Sequence, residues 1–418
     1  MDICLVRCPS PFLIDERAFP PLGLMAVGAG LKRAGHDVVI YDGELDELPL
    51  DYDYYGFGPT SPEYPAAVDC LHRIKEVNPN ARVIVGGAHV TLVYLQCLKD
   101  GFDALVVGDG ENAAEEAFLG NRQVIFAESL PLDSYPIPDR SLVNLRNYNF
   151  KLRNRPATTV MGSRGCPFRC AFCCKNNERV RINSASRLIE ELAMLQNDFG
   201  YDAIAFPEDI FTLNKQRTTE VCKFLKDNGF IWRCLVRADL TVKYGKEFID
   251  MMIDSGCIGV GLGIESGSNK ILRNINKAEE TETMKQAVAM LKERGLFVKA
   301  FFIVGLPGEN EETLAETDAF LREVQLDDID CKIFQPYPGS PIYENKERYD
   351  IDWDAMPLEY TFYKGRPGEY YGNVRTSALT SERLVEAWKY FEETYKDWTN
   401  AIESTMVSGE GELDGLCS

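Results

Sequence analysis

Short apolar runs alternate with amphipathic stretches along almost the whole of this 418-residue chain. That alternation restricts the fold more than any other feature. A strand covered on both faces reads as a continuous apolar run, and two such strands can pair in parallel only if a crossover, usually a helix, lies between them. The pattern therefore implies an α/β protein built from βα units with parallel sheets. No low-complexity segment or short-period repeat interrupts it, and no run of about 18 apolar residues exists, so no membrane span is expected.

The chain divides into four parts. In residues 1–120, strand-like runs are expected at 3–6, 38–41, 55–58, 83–85 and 104–107, with helices near 22–34, 64–77 and 90–99. This is the pattern of a doubly wound, Rossmann-like parallel sheet, which binds ligands at the carboxyl ends of its strands. Those ends carry RCPSP (7–11), GPTSP (58–62), GGAHVT (86–91) and GDGE (108–111), whose small residues let a large flat ligand approach the backbone. Residues 121–155 hold LPLDSYPIPDR and read as a linker. In residues 156–340, strands are expected at 157–161, 203–206, 232–236, 258–264, 298–304 and 331–334. Leu188, Leu192 and Leu195 mark one face of an intervening helix. Six βα units imply a partial (β/α)6 barrel with its chemistry at the C-terminal strand ends. Residues 341–418 are expected to form a helical tail, with Leu384, Trp388, Phe391, Tyr395 and Trp398 on one helix face and a disordered end over 408–418.

A net charge of −20 argues against a nucleic-acid partner. MDICLVRCPS lacks a basic region followed by a long apolar stretch, so no signal peptide is expected and the location is read as cytoplasmic. The length suffices to bury a core without a disulfide framework. Thirteen cysteines in such a chain point to metal or catalysis where they cluster, and to packing where they are scattered.

They cluster once, in Gly165-Cys166-Pro-Phe-Arg-Cys170-Ala-Phe172-Cys173-Cys174. The C-x3-C-x2-C spacing just after a strand can aim three thiolates at one small inorganic object. Three thiolates leave one iron of a [4Fe–4S] cluster open, and an open position marks a catalytic centre. A zinc knuckle or a set of buried thiols is the alternative. Zinc wants a fourth ligand, and the only histidines, His36, His72 and His89, all lie in the first block. Cys174 falls outside the spacing. Cys331, opening the last barrel strand, reads as core, with a cavity-facing position as the alternative. GVGLGIES (259–266) contains G-x-G-x-G but lies inside a strand, so it does not read as a dinucleotide loop.

Residues 156–340 resemble the radical S-adenosylmethionine (SAM) superfamily through this motif and the aromatic before its last cysteine. The resemblance implies a cluster on Cys166, Cys170 and Cys173 whose open iron binds the amino and carboxylate groups of SAM, with an external one-electron reductant of flavodoxin or ferredoxin type. It implies that Phe172 flanks the adenine and that Glu208 and Asp209 accept from the methionine amino group. Arg237 would meet the methionine carboxylate, Glu265 and Ser266 the ribose hydroxyls, and the Gly305–Pro307 turn the adenine. Acids and an arginine at successive strand ends are also what a zwitterion and a diol require.

The first block is similar to the cobalamin-binding domain of one large radical SAM class, through residues 20–42, 83–91 and 106–111. The tail is similar to that class through YPGSPIY (337–343). Ser61, Gly86 and Gly87 match positions bordering the cobalamin nucleotide tail, with His89 on the same loop. Two departures stand out. The D-x-H-x-x-G motif that supplies a lower cobalt ligand is absent, and residues 43–54 leave no room for the usual second crossover helix. The domain therefore either binds cobalamin or serves as a scaffold or lid. Three functions remain open: a cobalamin-dependent radical SAM methyltransferase acting on an unactivated carbon; a radical SAM cyclase, oxidase or rearrangement enzyme; and a binding protein using the cluster for electron transfer or as a staple. The substrate would be a small molecule or a peptide.

Overall fold

The computed structural model describes residues 1–10, 13, 15–174, 179–353 and 372–396. Pro11, Trp398 and the expected disordered end at 408–418 lie outside the described residues.

The first sheet comprises β1 (Asp2–Val6), β2 (Asp37–Tyr41), β3 (Tyr54–Phe57), β4 (Arg82–Val85), β5 (Ala104–Val107) and β6 (Val124–Phe126). All are parallel, in the order β2-β1-β3-β4-β5-β6. Helices α1 (Leu22–Arg33), α2 (Tyr64–Val77), α3 (Gly87–Cys97) and α4 (Ala114–Leu119) cover its two faces. Five strands were expected; the sixth, β6, lies in the segment read as a linker. It is a three-residue edge strand and presents only one buried residue, Ile125, so it has no periodicity to read. The missing crossover helix between β2 and β3 is indeed absent, replaced by one 3₁₀ turn over Leu45–Glu47. Helix α3 begins three residues earlier than its apolar pattern, because Gly87 enters it at φ +84° directly from the strand end.

The second sheet is a six-stranded parallel half-barrel: β7 (Thr158–Thr159), β8 (Ala203–Phe206), β9 (Ile231–Val236), β10 (Cys257–Glu265), β11 (Phe297–Val304) and β12 (Asp328–Ile333), running in that order across the sheet. Its outer layer includes α5 (Ala185–Phe199), α6 (Lys215–Asp227), α7 (Ala238–Tyr244), α8 (Lys246–Asp254), α10 (Thr281–Lys292) and α11 (Glu311–Val324), with the short α9 (Asn269–Asn274) at the rim. Leu188, Leu192 and Leu195 of α5 are fully buried on the expected face. The helix starts on a Ser184 cap and stops at Gly200 in the left-handed conformation. β12 starts three residues before its apolar run, because Asp328 is neutralised by Lys299 of β11 at 2.9 Å. Helix α12 (Ser381–Tyr395) closes the free edge of β12: Trp388 Nε1 donates to the Cys331 carbonyl at 2.8 Å and the Cys331 N–H donates to Glu392 at 2.9 Å. Cys331 is fully buried in this packing, as core.

The segment 121–155 is packed structure. A hairpin at Lys151–Leu152 and Arg155–Pro156 brings Phe150 and Leu152 against Ala203 and Ala205 on the inner face of the barrel. Arg140 crosses to Glu191 on α5 at 2.7 Å and to the Thr159 carbonyl at 2.8 Å, with both charged side chains almost wholly buried. Removing one partner strands the other charge, so Arg140→Met should cost about 3–5 kcal/mol in urea unfolding, and the double change Arg140→Met/Glu191→Leu less than either single change.

A second prediction concerns Glu309, fully buried below the end of β11, where it accepts from the Gly305 N–H. Burial, only partly offset by backbone N–H groups of Gly305 and Leu306, raises its pKa from the ordinary 4.5 to about 8. The folded state therefore holds this proton more tightly than the unfolded chain. Stability is favoured at low pH and drains as pH rises from about 4.5 through about 8. The thermal midpoint of wild-type protein should fall between pH 6 and 9 relative to Glu309→Gln, whose curve should be flatter.

Candidate functional site

The cysteine loop leaves β7 through a two-residue antiparallel ladder, Ser163–Arg164 against Arg181–Ile182. Gly165 turns at φ +80° and the loop is pinned at both ends of its first turn. The Ala171 N–H donates to the Ile275 carbonyl at 2.7 Å, the Ile342 N–H donates to the Ala171 carbonyl at 3.1 Å, and Asn276 donates to the Arg169 carbonyl at 2.8 Å. Cys170 is buried, Cys166 half-buried and Cys173 exposed. Burial raises all three thiol pKa values, that of Cys173 to about 12, and each of Cys170 and Cys173 also feels Cys166. Arg237 and Lys277 pull Cys166 and Cys170 back down, so metal binding in place of the protons is supported by two cations. Among the described residues, no three His, Cys, Asp or Glu converge closely enough to hold a single metal ion. The three thiols lie near enough for Cys170 and Cys173 to feel the charge of Cys166, and three thiolates on one such loop suit an iron–sulfur cluster. Burial, and then the charge of Cys173, raises the Cys174 thiol pKa.

The strand ends divide the remaining expected residues into open and committed groups. Glu208 turns inward: it is buried, pairs with Arg217 at 3.0 Å and is held by Gly162 and Ser163. Its neighbour Asp209 is exposed, makes no ion pair among the described residues and acts on Cys166 and Cys173. Arg237 stacks over the Phe168 ring at 3.4 Å and pairs with Asp239 at 3.0 Å and Glu279 at 3.2 Å. Glu265 sits at φ +66° on an irregularity of β10 and pairs with Lys277 at 3.0 Å. The Ser266 hydroxyl is buried, accepting from the Ser268 N–H at 3.1 Å and lying 3.4 Å from Thr317. Gly305 turns at φ +87° and the Pro307 carbonyl accepts from Asn274 at 2.9 Å. Phe172 is half-buried against the barrel core. Lys277, Glu279, Arg217 and Phe168 were missed in the sequence. Lys277 sits between Asn276 and Ala278, both at positive φ, and that tight turn carries no sequence signal.

At the first sheet, Ser61, Gly86, Gly87 and His89 meet at the ends of β3 and β4. His89 is buried, bonded through Nδ1 to the Ser61 hydroxyl at 3.0 Å and packed against the tilted Tyr64 ring, with ring centroids 4.3 Å apart. Burial lowers its pKa to about 4, so it is neutral. A Cβ on Gly87 would meet the Gly58 backbone at 2.9 Å, and Gly86 lies against Val106. No side chain projects from these glycines, which leaves the strand ends low enough for a flat macrocycle, and the donor set fits cobalamin held without His89 as a free ligand. The acids of GDGE do other work. Asp109 pairs with Arg164 and Arg181 at 2.6 Å each, and Glu111 pairs with Arg164. The two arginines are partners in the ladder at the neck of the cysteine loop, so the neck is tied to the end of β5.

Known proteins agree with this arrangement. Residues 160–321 match the model of the radical SAM superfamily and residues 16–118 that of the B12 binding domain. The chain is 32% identical over 385 residues to an uncharacterized methyltransferase of Pyrococcus horikoshii, covering 82% of this chain and 83% of that one. It is 28% identical over 370 residues to the anaerobic magnesium-protoporphyrin IX monomethyl ester cyclase of Rubrivivax gelatinosus, covering 78% of this chain and 66% of the cyclase. Its fold matches that of the radical SAM methyltransferase TsrM of Kitasatospora setae, solved with cobalamin and a [4Fe–4S] cluster, with a TM-score of 0.66, 16% identity and 93% and 85% coverage of the two chains. With the half-barrel, the cysteine loop and the glycine-bordered sheet in place, these matches establish that the chain belongs to the radical SAM superfamily, in the group carrying a B12 binding domain, as an enzyme whose cofactors are a [4Fe–4S] cluster, SAM and cobalamin.

Proposed function

We propose that the protein is a cobalamin-dependent radical SAM methyltransferase acting on an unactivated carbon of a small molecule or peptide. One observation carries this reading: the glycine-bordered ends of β3 and β4 belong to the same sheet whose β5 end grips the neck of the cysteine loop. Methyl transfer needs a corrin and a SAM-binding cluster facing one substrate. The name of the Pyrococcus relative supports the same chemistry.

The cluster supplies the electron that cleaves SAM to a 5′-deoxyadenosyl radical, and cobalamin supplies the carrier for a methyl group. The protein's part is to bind, orient and shield. Cys166, Cys170 and Cys173 would hold the cluster through their thiolates, with the amino and carboxylate groups of SAM bound beside them. Asp209, the acid left free at the rim, accepts from the amino group, while Glu208 holds its strand end through Arg217. Arg237 steers the methionine carboxylate and braces Phe168. Glu265, with Ser266 beneath it, faces the ribose, and Phe172 and the Gly305–Pro307 backbone border the adenine. Ser61, Gly86 and Gly87 border the cobalamin, with His89 bracing Ser61. The electron comes from an external flavodoxin or ferredoxin. The site of action is read as cytoplasmic; no helix among the described residues is long and apolar enough to cross a membrane.

The cyclase relative favours a second reading, radical chemistry without net methylation. Product analysis separates the two. Anaerobically reconstituted protein should bind about one corrinoid per chain and, with substrate and reductant, yield S-adenosylhomocysteine together with 5′-deoxyadenosine. 5′-Deoxyadenosine with a converted but unmethylated product would establish the second reading. Cys170→Ala should lose bound iron and sulfide and all 5′-deoxyadenosine. Asp209→Asn should keep its iron and weaken SAM binding about tenfold, the worth of one charge-assisted hydrogen bond. Glu208→Gln should instead lower the thermal midpoint, with SAM affinity changing less than in Asp209→Asn.

A further inference from the structure

Arg233 stands in the middle of β9, and no carboxylate among the described residues neutralises it. Its neighbours Trp232, Cys234 and Val236 are buried in the core beneath the outer helices, so strand alternation turns Arg233 to the barrel interior. There it pairs in register with Ala205 on one side and Gly259 on the other, neither of which can meet a charge. Its guanidinium lies 4.8 Å over the Phe150 ring, part of the floor formed with Leu152, Ala203 and Ala205. Among the described residues it donates no hydrogen bond and meets no carboxylate. Crowding by protein atoms lowers its pKa to about 10, with no acidic neighbour opposing the shift, although some of its surface still opens onto the interior.

Other inward-facing cations among the described residues, Lys299, Lys332, Arg237 and Lys277, are compensated. Lys299 holds Asp328 at 2.9 Å and Lys332 holds Asp330 at 2.6 Å. Arg237 and Lys277 share Glu279, and Lys277 also holds Glu265. A desolvated cation without a counter-ion costs free energy unless something anionic joins it. Arg233 also lies four residues before Arg237, which directly follows β9, about 13 Å down the barrel at the rise of an extended chain. That is well below the rim where the cysteine loop, Asp209 and Arg237 gather.

We propose that Arg233 binds an oxyanion of the substrate, a carboxylate or phosphoryl group held deep in the barrel so that the reacting carbon points up to the rim. This rests on the reading that the barrel interior holds the substrate of the radical chemistry, and it narrows the substrate to an anionic molecule. The planar fork of a guanidinium matches such a group in two parallel hydrogen bonds, and stacking on Phe150 fixes the plane of the fork.

The test uses the anaerobically reconstituted holoenzyme with SAM bound, titrated calorimetrically with inorganic phosphate in one arm and hexanoate in the other. At least one probe should bind one to one, at least tenfold more weakly to Arg233→Gln and to an intermediate degree to Arg233→Lys. The tighter of the two probes identifies the class of oxyanion. Because the substitution removes an unpaired buried charge, Arg233→Gln and Arg233→Met should match or exceed the wild-type thermal midpoint, with SAM affinity unchanged. Equal binding by wild type and Arg233→Gln, no binding of either probe, a clear drop in thermal midpoint in both neutral variants, or a parallel loss of SAM affinity would each overturn the assignment. Methyl transfer is judged separately, by S-adenosylhomocysteine, so either reading can fail while the other stands.

Discussion

Asp109 is the hinge on which the site's architecture turns. It lies at the end of β5 in one sheet, and both arginines it holds, Arg164 and Arg181, belong to the ladder at the neck of the cysteine loop in the other. Burial alone would push its carboxyl up, yet Arg181 and then Arg164 hold it below the usual range, and Tyr135 adds a hydrogen bond at 2.9 Å. Glu111 completes the grip, and its own backbone sits so close to Gly30 of α1 that any side chain there would collide with it. A charged cluster of this kind, partly desolvated and fully paired, tolerates little displacement of either sheet. The distance between a ligand on the first sheet and a ligand on the barrel rim is thereby set by four side chains rather than by a flexible linker. Transfer between two cofactors requires that constancy.

The same logic explains why the segment between the sheets is folded. A Pro-rich stretch without periodicity reads as a connector, and residues 121–155 have that composition. Yet the segment supplies the edge strand β6, the buried Arg140, and the hairpin that brings Phe150 to the barrel floor. None of these depends on a repeating apolar pattern. Each depends on one residue meeting a partner far along the chain, Arg140 with Glu191 and Phe150 with Arg233.

That difference separates what was legible in the sequence from what was not. Strands β8 to β11 were readable because each is a predominantly apolar run between helices, broken only by Arg233 in β9, Lys299 in β11 and the terminal Glu265 of β10. The cysteine loop was readable because its chemistry depends on local spacing. The division of labour between Glu208 and Asp209 was not. Adjacent residues at a strand end point opposite ways, and only the position of Arg217, nine residues on, decides which carboxylate is consumed. Lys277 was invisible for a related reason. It reaches Glu265 from a turn of two positive-φ residues, a geometry chosen by tertiary packing. His89 was legible as a strand-end histidine, but the ring of Tyr64 and the Ser61 hydroxyl claim it, and burial keeps it neutral.

The glycine run of β10 ties these points to the reaction chamber. Gly259, Gly261 and Gly263 alternate with Val260, Leu262 and Ile264, which belong to the helix-covered core, so the glycines line the inner face. A Cβ on Gly261 would meet Leu235 at 2.6 Å and Phe301 at 2.9 Å, and one on Gly263 would meet Glu265 at 2.5 Å and Lys277 at 3.1 Å. The bare strand is thus where side chains from both neighbours and from the rim lean across the barrel. Leu235 and Phe301 come together over it on the wall between Arg233 and Arg237, while the Glu265–Lys277 pair stands above them. A sequence that resembles a nucleotide-binding loop by composition is, by position, the strand that lets apolar groups and charges be stacked in layers inside a narrow barrel. Apolar packing between the two arginines separates Arg237, already paired with Asp239 and Glu279 at the rim, from Arg233 below it.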